Sequence, residues 1–117
     1  MRWTAQNHFI LTANFHGGAL VANYPFDSTA SGASRYSTSP DDALFQDLAR
    51  LYSYAHTTMR SSKVFRDGIT NGAAWYALSG GMQDWNYLYE DCFGLTLEVS
   101  DVKYPPAEEL PVAFHLK

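Results

Sequence analysis

Residues 93–99 read FGLTLEV, with Phe93, Leu95, Leu97 and Val99 alternating with Gly94, Thr96 and Glu98. A period of two places the four apolar side chains on one face of an extended strand and Thr96 and Glu98 on the other. A carboxylate within such a strand is costly unless it is solvated, paired or used. Residues 9–16, FILTANFH, alternate in the same way: Phe9, Leu11, Ala13 and Phe15 point to one side, and Ile10, Thr12, Asn14 and His16 to the other. Gly17 and Gly18 end that strand and leave His16 at its C-terminal tip. Between the two strands lies a well-marked helix. Ser39 is placed to cap it, Pro40 suits its first turn, and Asp41 and Asp42 complement its dipole. Leu44, Phe45, Leu48, Leu51, Tyr52 and Ala55 recur at helical spacing, which predicts a buried stripe on a helix running to about residue 56. A short helical turn is expected over 84–89. Pro105 and Pro106 break the chain, and a last helix is expected from residue 107 to 117. Two strands and one firm helix do not close a core by themselves, so the pattern predicts part of a larger α/β sheet.

Composition agrees with one domain. The chain has 117 residues, enough for a core but too few for two domains. Aromatics at 15% against charged residues at 17% suit a buried α/β piece and exclude a disordered chain. A net charge of −4 without a basic run offers nothing to nucleic acid. No apolar run approaches the roughly 20 residues that span a bilayer. The opening MRWTAQNHF lacks the apolar core of a signal peptide. Cys92 is the single cysteine, so no disulfide forms within the chain.

The functional signal is concentrated in residues 68–87, GITNGAAWYALSGGMQDWNY. Glycine costs entropy when ordered, so a loop this rich in Gly and aromatics shapes a pocket more often than it fills space. Together with HGGALVANYPFD at 16–27 and LTLEVSDVKYP at 95–105, it resembles the zinc metallocarboxypeptidases, specifically their carboxypeptidase N/E/D/M branch. The resemblance runs from about residue 9 to 110 and needs no gap between Tyr76 and Glu98. It implies the second half of an α/β/α catalytic domain: a partial mixed β-sheet with flanking helices. The ending SDVKYP is closest to the plant-type carboxypeptidase D pattern. Many animal members carry a second cysteine where Asp101 stands, so the resemblance gives Cys92 no partner there.

The resemblance also implies roles. His16 is otherwise an ordinary turn histidine; in the family's HGG motif it is a zinc ligand. Glu98 is otherwise a strand carboxylate or an ion-pair partner; in the family it is the general base of hydrolysis. Tyr76 matches the tyrosine that closes over the bound peptide. Asp27 and Gln83 match the residues that line a pocket for C-terminal Lys or Arg. Asp84, Asn23 and Asn71 read as hydrogen-bonders that hold loops. The implied activity is zinc-dependent removal of C-terminal Lys or Arg from peptides and proteins, in the secretory pathway or outside the cell.

The departures are equally definite. The family's His-x-x-Glu, with two further zinc ligands, does not occur in the chain, and His8, His56 and His115 have no Glu at that spacing. The Asn-Arg segment that holds the substrate carboxylate is also missing. Residues 1–117 are therefore expected to be a partial catalytic domain, without its N-terminal half and without the transthyretin-like domain that follows in this branch. Such a chain is expected to be inactive alone and to expose apolar sheet surface. A non-catalytic binding module of the same fold is the alternative, since the family includes members that have lost catalytic residues.

Overall fold

Two strands read from the alternating pattern lie side by side. In the computed structural model, which describes residues 1–110, β1 (Leu11–His16) runs parallel to β4 (Phe93–Ser100). Two further strands complete the sheet: β2 (Ala19–Tyr24), antiparallel to β4, and β3 (Ile69–Asn71), parallel to β2. The order is β1-β4-β2-β3, a mixed four-stranded sheet with flanking helices. β2 escapes the alternation rule because it is central and covered on both faces, so ALVANY carries no period of two.

The helices are α1 (Arg2–Asn7), α2 (Asp42–Ala55), α3 (Gly72–Trp75) and α4 (Met82–Glu90). α2 covers the apolar face of the sheet, where Phe45 and Ala49 pack with Ala22, Tyr24, Met59 and Leu97. The Phe45 ring lies 5.0 Å from Tyr87 and 5.3 Å from Phe93, within the range of favourable edge contacts. Two expectations for this helix are corrected. Asp41, not Ser39, stands at the cap position, and its side chain caps nothing because the Tyr87 hydroxyl donates to it at 2.6 Å. Residues 39–42 form a turn instead, with Asp42 N–H donating to the Ser39 carbonyl. The buried stripe is narrower than predicted: Leu44, Leu51 and Ala55 face outward, and Phe45, Ala49 and Ser53 face inward. Small Ala49 and Ser53 let the helix approach closely. The Ser53 hydroxyl donates to the Asp67 carbonyl at 2.7 Å, and a Cβ on Gly68, at φ 66°, would overlap both that hydroxyl and the Met59 carbonyl.

α4 is longer than the predicted turn, since its buried residues Gln83, Asp84 and Asn86 are polar and give no apolar stripe. Of the expected last helix, the described residues show a 3₁₀ turn at Ala107–Glu109; positions 111–117, His115 among them, lie outside the described residues. β1 is a terminal strand; Phe15 within it is 67% exposed and Ile10, just before it, 74%.

Candidate active site

Strand register assembles the first part of the site. Asn14 pairs with Thr96 and His16 with Glu98 across the parallel β1–β4 ladder, so these four side chains share the face away from α2. Both strands carry these residues toward their C-terminal ends, where ligands bind in open α/β sheets. His16 is half-exposed, and its Nδ1 lies 3.4 Å from Glu98 Oε1. Glu98 is buried, and its Oε2 has no hydrogen-bond partner among the described residues. Buried polar atoms are nearly always satisfied, so an orphaned carboxylate oxygen beside an imidazole marks a position shaped for something other than packing.

The second part comes from the chain leaving β2. Pro25 and Phe26 are joined by a cis peptide, and Asp27 follows, buried at 5% exposure. Asp27 Oδ1 accepts from Asn23 Nδ2 and from Gln83 Nε2, both at 3.2 Å. A Cβ on Gly72 would overlap that same oxygen, which is the physical reason for a glycine in the ITNGA stretch. Gln83 Oε1 is buried without a hydrogen-bond partner among the described residues. Burial pushes the Asp27 carboxyl up to about 6, with a further push from Asp84 and opposing pulls from the Asn23 hydrogen bond and from His16.

The third part is the aromatic loop. Asn71 caps α3 by accepting from Ala74 N–H, and its amide donates to the carbonyls of Pro25 and Ser37. It thereby ties the residues before Asp27 to the start of the loop. Tyr76 follows the helix, 47% exposed, its ring 4.8 Å from Trp75, which itself packs edge-on against Phe65. Burial raises the Tyr76 hydroxyl above its ordinary value, and the charges of Glu98 and Asp27 add to that.

His16, Glu98, Tyr76, Asp27 and Gln83 all line one cavity of about 300 Å³. The motifs that nominate them lie up to 82 positions apart, yet the fold brings all five together. Asn14, Thr96, Leu78 and Met82 also line it and were not nominated. Asn14 and Thr96 had a signal, since they share the polar side of their strands with His16 and Glu98. Leu78 and Met82 had none. Chemically, the cavity offers an imidazole, a buried carboxylate able to take a proton, and an acceptor-rich corner for a cation. Among the described residues no three His, Cys, Asp or Glu side chains gather as a metal site. A catalytic zinc takes three protein ligands, so His16 is at most one member of a set that the described residues do not complete. His8 lies at the end of α1, and His56 Nδ1 accepts from the N–H groups of Thr58 and Met59.

Comparison with known proteins points the same way. Residues 1–114 match the family model for zinc carboxypeptidase. The chain is 54% identical over 110 residues to carboxypeptidase SOL1 of Arabidopsis thaliana, covering 94% of this chain and 22% of that protein. It is 52% identical over 120 residues to the human carboxypeptidase N catalytic chain, covering 94% of this chain and 26% of that one. Against carboxypeptidase D of Anas platyrhynchos it is 52% identical over 120 residues, covering 95% of this chain and 9% of that protein. The chain thus spans about a quarter or less of the length of these curated relatives. With the motifs, the fold and the cavity in agreement, the chain belongs to the zinc carboxypeptidase family.

Proposed function

We propose that this chain is the second half of a metallocarboxypeptidase catalytic domain, and that the complete protein removes C-terminal Lys or Arg from peptides and proteins. The observation that carries this reading is the His16–Glu98 pair beside the Asp27–Gln83 corner, in one cavity. His16 serves as one zinc ligand, and the remaining ligands come from residues outside this chain. A zinc bound in the complete enzyme would supply Lewis acidity for the scissile carbonyl. Glu98 takes a proton from the attacking water and returns it to the leaving amine; its Oε2, without a hydrogen-bond partner among the described residues, is open to that proton. Tyr76 donates its hydroxyl to the bound peptide, and its half-exposed position at the cavity rim lets it reach a substrate. Asp27 and the free Gln83 Oε1 receive the terminal ammonium or guanidinium group.

The complete protein acts in the secretory pathway or outside the cell, a reading that family resemblance supports; no helix of the described residues is long and apolar enough to cross a membrane. The test is release of the terminal residue from matched peptides ending in Arg, Lys, Leu or Phe, using the longest protein product that contains this chain. The expected result is release of Arg and Lys, abolished by a zinc chelator. Preference for Leu or Phe would overturn the basic-residue assignment. No release from any of them, with zinc bound, would favour a binding module.

A further inference from the structure

Asp84 stands in the first turn of α4 and is buried, but its carboxylate serves a different segment of the chain. Oδ1 accepts the Asp27 N–H at 2.8 Å. Oδ2 accepts the Ser28 N–H at 3.0 Å and the Ser28 hydroxyl at 2.8 Å. Three donors converge on one ionised acceptor, the strong class of hydrogen bond, and all three belong to Asp27 and Ser28. The preceding residue, Gln83, holds the Asp27 side chain through Oδ1. Consecutive residues of α4 therefore grip Asp27 twice, once by its backbone and once by its carboxylate. The other carboxylate oxygen, Oδ2, lies on the side of Gly81, which lines the cavity. Just beyond the clamp the chain enters a Ser/Thr/Gly-rich stretch, residues 28–39, with little regular structure to hold Asp27 from that side.

We infer that Asp84 is a positioning residue for cation recognition: it fixes the backbone of residues 27–28 so that the Asp27 carboxylate presents one oxygen to the cavity. This rests on the proposed reading of Asp27 as the contact for a basic residue. Selectivity then depends on a carboxylate that never touches the substrate. Asp84→Asn is the informative change because it keeps the size of the side chain. Its oxygen can still take the Asp27 N–H, but its amide then meets the Ser28 N–H, donor against donor, and the clamp opens at Ser28.

The test compares propylguanidinium with neutral, same-shaped propylurea. Binding to micromolar chain is read by saturation-transfer NMR on the probe, with near-UV circular dichroism reporting the fold. The intact chain should prefer the guanidinium by about tenfold, the scale of one charge-assisted contact. Asp84→Asn should bring that ratio close to one with the fold retained. Ser28→Ala removes one donor of the three and should lower the ratio about two- to threefold; it decides the matter if Asp84→Asn does not fold. An intact chain without preference would overturn the basic pocket and this inference together. A preference kept in full by a folded Asp84→Asn variant, or by Ser28→Ala where Asp84→Asn does not fold, would overturn the positioning role alone.

Discussion

Asp27 gives the sharpest quantitative prediction, because its environment works against the charge it is proposed to use. Its carboxyl is raised from 3.8 to about 6, chiefly by burial and then by Asp84. Below the unfolded value both folded and unfolded chains carry the proton and the site costs nothing. As pH rises from there toward the folded value, the unfolded chain ionises first, so stability falls. Above about 6 the penalty is complete and constant. A shift of roughly two units corresponds to roughly 3 kcal/mol. Asp27→Asn removes the charge and keeps an oxygen to accept from Asn23 and Gln83. Relative to the intact chain, the variant should therefore gain only about 0.5 kcal/mol near pH 4 and roughly 3 kcal/mol above pH 7. Urea unfolding of both chains between pH 4 and 8, followed by near-UV circular dichroism, measures the difference; carboxyl ¹³C shifts read the Asp27 titration directly. A difference that does not vary with pH would refute the reasoning. So would a variant that becomes relatively less stable as pH rises. Stability lost at a buried charge and recovered as recognition is a common trade at binding sites.

Two further outcomes follow from packing. Gly72→Ala places a methyl group on Asp27 Oδ1 and should destabilise the chain by about 1–3 kcal/mol, as overpacked sites do, which thermal unfolding will show. β1 is one of the two terminal strands, with Phe15 in it and Ile10 just before it exposed, so the isolated chain should self-associate as its concentration rises. Phe15→Lys should return it toward monomer in sedimentation, and an intact chain that stays monomeric at every concentration would count against this reading of the edge.

The parts of the molecule legible in the sequence are those whose residues act locally. FILTANFH and FGLTLEV alternate; β1 takes in 11–16 of the first and β4 the whole of the second, and Asn14, His16, Thr96 and Glu98 from their polar sides line the cavity. ALVANY was not legible as a strand because a central strand buried on both faces has no period to read. In α2 the stripe narrowed because Ala49 and Ser53, too small to register as hydrophobic anchors, are the residues buried along with Phe45. The five nominated site residues were legible through motifs, each of which marks one side chain. The clamp between Asp84 and Asp27 was not, because it joins positions 57 apart and depends on how α4 docks beside the end of β2.

The most direct measurement compares Glu98→Gln with the intact form of the longest protein product containing this chain, recording bound zinc and kcat for a peptide ending in Arg. Glu98 is proposed to move protons, with His16 and residues outside the chain holding the metal. Zinc content should therefore stay unchanged while kcat falls about 10²- to 10⁴-fold, the range for loss of a general base. A Glu98→Gln enzyme that releases Arg at the intact rate would contradict the account at its centre.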